Sequence, residues 1–456
     1  MEPRKQNKMA VMPMKQLVFN MSLPLMISLL VQSLYNIVDG IFVARLSQDA
    51  LTATSLAYPV QLLMIAVSVG TGVGVNALLS RLLGAREREA VGSAATTGMI
   101  LAFFWTVVFM ILGLTCSGVL ARSFTEDTQT AELCRQYLSI CMIFCLGIFV
   151  ETLAQRLLQA AGNTGLSMIS LVVGAGTNII LDPIMIFGCF GCPALGIRGA
   201  AIATVIGQWL GALVALLLHQ FLNPEVRFRI RGYRFDFSIV KKIYKVGAPT
   251  ILTQAMGSIM LTCINKILIE FGSTYVAFFG VYYKLQNFLM MPMNGLGQAA
   301  IPIAGFNYGA KNGKRIRELL RTAIPAAVAI GLIGTLVFLA IPGTLLGLFS
   351  ASDEMLAIGI PALRVISLTF PFAAATIVIG YSISGLGNGV VNMLGTGLRQ
   401  VILFIPLAWI FSRIGGAGMT FYAIWISELT AAAYAALSLK KEYKKKIAPF
   451  VSLEDV

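Results

Sequence analysis

The stretch "SLYNIVDGIFVARL", residues 33–46, places one carboxylate inside a segment otherwise built for hydrocarbon. The 29 residues 16–44, between Lys15 and Arg45, contain a single charged group, Asp39. Leu, Ile, Val, Phe and Met dominate the rest. A block of this length crosses a hydrocarbon core of ~30 Å at ~1.5 Å per helical residue. The same kind of block recurs along the chain of 456 residues, which is 57% hydrophobic and 12% charged, against roughly 25% charged in soluble domains. The chain reads as an all-α polytopic membrane protein. Its basic start, MEPRKQNK, resembles that of a signal peptide, but the following apolar run is too long for one and no small-residue cleavage site follows, so it reads as a retained first helix.

Twelve spans are expected, near 15–43, 52–80, 92–116, 131–157, 166–188, 195–221, 246–270, 275–305, 319–345, 357–384, 391–412 and 417–439. Lys and Arg fix the orientation. The N-terminus, the loops near 81–91, 156–165, 222–245 and 306–321, and the C-terminal tail hold 25 of the 34, while the opposite loops hold only Arg45, Arg122, Arg198 and Arg413. Both termini are therefore expected in the cytoplasm. The formal charge of +14 then reflects cytoplasmic loops at a lipid surface, the basic stretch 223–245 above all, and a nucleic-acid partner is not expected. Of the seven cysteines, most lie within apolar stretches and read as small hydrophobes. Cys189 and Cys192 leave a disulfide open on the outer face.

Shifting the sequence by 225 residues aligns its helix breakers. Pro24 falls on Pro249, Gly70 and Gly72 on Gly295 and Gly297, "GAR" at 84–86 on "GAK" at 309–311, and "GN" at 162–163 on "GN" at 387–388. Only 8 of 63 positions are identical between 24–86 and 249–311, so the punctuation carries the repeat. Each copy holds six spans, an even number, which predicts two six-helix lobes related by a pseudo-two-fold axis along the membrane normal, with the working site between them. The expected division is an N-lobe at 1–222, a basic linker at 223–245 and a C-lobe at 246–456. Two pivoting lobes suit a transporter better than a pore.

At this point the residues resemble those of the multidrug and toxic compound extrusion (MATE) transporters. The resemblance rests on "YNIVDGIFVARLSQDALTATSLAYP" (35–59), "SRLLGARE" (80–87), "NIILDPIMIFG" (178–188), "GIRGAAIATVIGQ" (196–208) and "YYKLQNFLMMPMNGLGQAAIPIAGFNYGAK" (282–311), and it spans nearly the whole chain. It is strongest toward the bacterial drug exporters that include the staphylococcal multidrug pumps, and so implies the inner membrane of a bacterial cell. The resemblance implies efflux of organic, mostly cationic and amphipathic compounds in exchange for H⁺ or Na⁺, with a functional acid at the Asp39 position and, in some members, an accompanying set at Asp182, Asn178 and Thr204.

The residues alone point to the same place. Ionisable groups at membrane depth are costly and read as functional. Asp39, toward the outer end of the first span, and Asp182, on the outward-running fifth span, fall at similar depth. Asn178 lies one turn from Asp182 on the same face, and Thr204 reaches that level from the sixth span. Such a hard-oxygen set can share a proton or hold a small cation. The bland readings are a snorkelling Asp39, an Asp182 capping around Pro183, an Asn178 that only joins helices and a back-bonded Thr204.

The second copy differs: Ile264 stands opposite Asp39, and the intramembrane cations Lys266, Lys284, Arg364 and Arg399 gather there with Glu270 and Glu428. Lys266 and Glu270, four apart, are expected to pair. Lys284, Gln286, Met290, Met293, Asn294, Tyr35 and Glu151 are candidates for a substrate pocket, the methionines because they adapt to many shapes; a packed or lipid-facing stripe is the alternative. Pro24, which removes one helical hydrogen bond, is a candidate hinge. No nucleotide, hydrolase or structural-metal motif is present, so no cofactor is expected and an ion gradient must supply the energy. The partners are small organic molecules and the bilayer, and the chain is expected as a monomer. A flippase of lipid-linked saccharides or lipids is the runner-up. A membrane enzyme or a channel is weaker still, for want of a nucleophile–base set or a pore-forming ring.

Overall fold

A computed structural model describes residues 7–229, 231–349 and 351–451. Among these every regular element is helical. The main helices are α1 (Met14–Leu46), α2 (Gln48–Gly84), α3 (Arg88–Phe124), α4 (Thr128–Ile143), α5 (Leu146–Ala160), α6 (Thr164–Phe187), α7 (Ile197–Leu222), α8 (Phe237–Leu268), α9 (Ser273–Gly309), α10 (Gly313–Ala340), α11 (Asp353–Ser367), α12 (Phe370–Gly385), α13 (Gly389–Gly397), α14 (Phe404–Thr420) and α15 (Tyr422–Glu442).

Among the described residues, nine helical segments are long and apolar enough to cross a membrane, and eleven when α4 with α5 and α11 with α12 each count as one bent span. The twelfth expected span is α9, 37 residues long and more polar, with Lys284, Gln286, Asn287, Asn294 and Gln298 along it. The apolar residues do not all turn inward. On α3, Phe103, Val107, Ile111 and Leu114 form an exposed stripe at helical spacing, a face that calls for lipid. The chain is a multi-pass membrane protein.

Two expectations change, and one question that the sequence left open is answered. The spans 131–157 and 357–384 are each broken, with bends of 47° and 49°. Helix α8 begins inside the basic stretch, at Phe237, so the last nine residues of the expected linker are helical. Cys189 and Cys192 are exposed and both free, without a disulfide. Helix starts follow ordinary chemistry. Asp127 accepts from the Thr130 hydroxyl and backbone N–H ahead of α4, and Asp236 from the Ser238 hydroxyl and N–H ahead of α8. Those bonds hold both exposed carboxyls below the usual range.

The chain divides into two compact units whose borders fall inside helices. The first is Ile27–Gly247; the second joins the described residues up to Met26 to those from Ala248 onward. The reasons are local. In the second unit, Asn307 Nδ2 donates to the Met9 carbonyl at 3.4 Å and Arg315 Nη2 to the Met12 carbonyl at 2.8 Å, and Gly295 leaves room for the Met26 backbone. In the first, the Tyr244 hydroxyl accepts from Trp105 Nε1 at 2.6 Å and lies 3.2 Å from Thr71 Oγ1, while Gly247 packs on the Gly70 carbonyl. The sequence division gave residues 1–26 to the first half; the described part of that stretch, residues 7–26, groups with the second. Each border lies close to one of the repeat-related prolines, Pro24 and Pro249.

Candidate functional site

In the first unit the α6–α7 hairpin builds the cluster. Its two helices approach closely because Gly174 and Gly207 face each other: a Cβ on Gly207 would stand 2.7 Å from the Gly174 carbonyl oxygen. That approach brings Asn178 of α6 to Thr204 of α7. Asn178 is 3% exposed, Thr204 7% and Asp182 0%. With its amide turned to satisfy both ends, Asn178 donates through Nδ2 to Asp182 Oδ2 at 3.2 Å and accepts from the Thr204 backbone N–H at 3.2 Å. Asp182 is thus held by the residue one turn before it; capping around Pro183 does not describe it.

Asp39, on α1, is a near electrostatic neighbour of Asp182 within the same unit. Asp39 Oδ1 is buried and has no hydrogen-bond partner among the described residues. An orphaned buried acceptor beside a second carboxyl, an amide and a hydroxyl suits a proton or a small hard cation. Four residues expected from the sequence to converge therefore do so.

The expected substrate-pocket residues separate into two groups. Tyr35 and Glu151 line a cavity of about 120 Å³ in the first unit, with Gln32, Gln155, Gln208, Asn178 and Thr204. Glu151 accepts from Gln155 Nε2 at 3.1 Å, in a slot that Gly211 keeps free of side chain. Gln286, Met290 and Asn294 line a separate cavity of about 250 Å³ in the second unit. Met293 is fully buried and Lys284 is exposed over the Phe349 ring, 5.9 Å from its centroid; neither lines either of these two cavities. Glu270 pairs with Arg413 at 2.9 Å and not with Lys266.

One feature escaped the sequence reading. Arg399 and Glu428 form an ion pair at 2.8 Å, with side chains 9% and 5% exposed, at the wall of the second cavity. Both residues were recognisable as intramembrane charges. Their pairing was not, because 29 positions and a change of helix separate them. Arg399 lies on a single π-turn, Leu398–Ile402, of the kind common at functional sites.

A family model, MatE, matches the chain twice, over residues 24–184 and 249–410. The chain belongs to the MatE family. The two matches begin 225 residues apart, as the prolines do. Among curated relatives, the multidrug export protein MepA of Staphylococcus aureus (strain MSSA476) is 23% identical over 432 residues, 93% of each chain. Among solved structures, an outward-facing multidrug resistance MATE transporter of the MOP superfamily is 26% identical, with TM-score 0.89 over 98% of this chain and 99% of that one. A MATE transporter in the straight conformation is also 26% identical, with TM-score 0.89 over 100% of both chains. The fold is thus the all-α, twelve-helix, two-lobe plan of MATE transporters, and the protein is a transporter of small molecules and not an enzyme.

Proposed function

We propose that this chain is a secondary antiporter of the bacterial cytoplasmic membrane, working as a monomer with both termini inside. It exports organic, mostly cationic and amphipathic compounds in exchange for H⁺ or Na⁺ and uses no cofactor. The observation that carries the reading is the Asp39–Asp182–Asn178–Thr204 cluster, which shares Asn178 and Thr204 with the cavity lined by Tyr35 and Glu151. Carboxylates there attract a cationic drug. An ion arriving from outside neutralises Asp39 and Asp182, and the hold on the drug weakens. A charge pair at 4 Å and an effective dielectric constant of 20 is worth about 4 kcal/mol, and a third of that alters affinity about tenfold. Return to the inward-open state releases the ion to the cytoplasm, with the helix around Pro24 as hinge. A family name alone leaves the coupling ion open. The experiment is transport of a fluorescent cation in proteoliposomes under separately imposed ΔpH and ΔNa⁺. Accumulation driven by one of them supports the reading, and transport indifferent to both refutes it.

A further inference from the structure

The 250 Å³ cavity of the second unit has chemistry that cation export does not use. Its walls include the Tyr282, Tyr283, Phe279 and Phe404 rings. Its one guanidinium is only partly engaged. Arg399 gives its Nε–H to both oxygens of Glu428, at 2.9 and 2.8 Å, while Nη1 and Nη2 have no partner among the described residues. The side chain is 91% buried, by its 9% exposure, and lines the cavity. The next residue of the π-turn, Gln400, also lines it, with a buried Oε1 that nothing satisfies. A buried acceptor left open beside a guanidinium whose terminal nitrogens are uncommitted marks a place for a ligand.

The internal repeat sharpens the point. At the 225 offset, Tyr35, Ile65, Leu171, Gly174 and Ala175 of the first cavity fall on Met260, Met290, Thr396, Arg399 and Gln400 of the second. The two cavities are thus the same place in the two copies. In the first, glycine stands where the second has the arginine; in the second, Thr376 stands where the first has Glu151.

We propose that this cavity is a binding site for a small aromatic carboxylate, which docks on the two terminal nitrogens of Arg399. A carboxylate matches that fork with two parallel charge-assisted bonds. Glu428, by holding Nε alone, orients the guanidinium so that the fork stays available. The ring stacks among the tyrosines, and an ortho hydroxyl meets Gln400 Oε1. The size is set by the space, about eight waters' worth at ~30 Å³ each, below the ~300 Å³ at which drug-sized pockets begin.

The test is equilibrium dialysis of salicylate and of salicylamide, its neutral isostere, against the purified full chain in detergent near neutral pH. Salicylate is expected to bind at least about tenfold tighter than salicylamide. Arg399→Lys keeps the ion pair but loses the fork, and should remove the preference while leaving salicylamide unchanged. Arg399→Leu/Glu428→Leu, which strands no buried charge, should remove it as well. Asp39→Asn/Asp182→Asn should leave it intact, which separates this site from the proposed coupling site. Equal affinity of the two probes for the unaltered protein overturns the proposal, whether or not any variant folds, and so does a preference that survives both Arg399 variants.

Discussion

Replacing Gly207 by alanine should stop transport while leaving the fold in place, because a single methyl there forces apart the helices that hold the cluster. The new Cβ would lie 2.7 Å from the Gly174 carbonyl oxygen and 3.2 Å from the Asn178 Cβ. Carbon and oxygen settle at about 3.3 Å or more, so α7 must retreat by roughly 0.6 Å. The bonds from Asn178 to Asp182 and to the Thr204 backbone are already 3.2 Å long. A shift of that size takes the second toward about 3.8 Å, past the range in which a hydrogen bond survives. A buried group losing its partner costs ~1–3 kcal/mol, overlapping a similar overpacking cost of ~1–3 kcal/mol. The expected loss of stability is about 2–4 kcal/mol. Flux of a fluorescent cation from proteoliposomes should fall about tenfold or more, since ~1.4 kcal/mol at the cluster already changes affinity tenfold. Gly176→Ala is the control: it lies on the same helix pair, and a Cβ there meets nothing within 4 Å. Thermal stability in detergent and transport, measured on both variants, decide the matter. Full transport by the Gly207 variant, or equal damage from the Gly176 variant, would refute the role given to the α6–α7 contact.

Asp39→Asn should abolish gradient-driven efflux from a folded, membrane-inserted protein, and normal export by that variant would remove Asp39 from coupling. Glu428→Gln leaves Arg399 buried without its counter-charge and should cost about 3–5 kcal/mol of stability, yet per folded molecule it should impair cation efflux less than Asp182→Asn does; the reverse order in reconstituted flux would move coupling to the second unit. A quaternary ammonium dye should bind more weakly as pH falls from about 8.5 to 5, because protons displace the charge that holds it, while the Asp39→Asn/Asp182→Asn variant binds it with a flat pH profile. A pH-independent but Na⁺-sensitive affinity of the unaltered protein would name sodium in place of the proton.

Much of this architecture was legible because membrane-spanning imposes one-dimensional signals. Apolar length marked the spans. The repeat showed in Pro24 and Pro249, where backbone chemistry leaves little choice of residue. Asp39 and Asp182 stood out because a carboxylate in hydrocarbon needs a reason. The bend between α4 and α5 was not legible: Phe144 and Cys145 carry no proline, and it goes with tertiary contacts such as Cys145 Sγ to the Thr106 carbonyl at 3.6 Å and Gly147 against the Trp209 backbone. The break before Phe370 did leave a mark, Pro371 in the first turn of α12, where proline suits a helix start. Glu270 shows the limit of local spacing. Lys266 is one turn away on the same chain segment, yet Arg413 from a distant helix takes the contact, which no count of i and i+4 neighbours can anticipate.

The placement of the two borders inside α1 and α8 carries a consequence for the origin and assembly of the molecule. Each copy of the repeat sends the first part of its opening helix into the other copy's core and keeps the rest for its own. A gene encoding one copy would therefore specify an incomplete core, and two such products could complete each other only by exchanging those segments, as in a domain-swapped dimer. Two copies joined in one chain make that exchange within a single molecule. Cutting the present chain between Asn223 and Arg234 should accordingly give halves that are poorly folded apart and competent when co-expressed, with the severed pieces finding their partners across the cut.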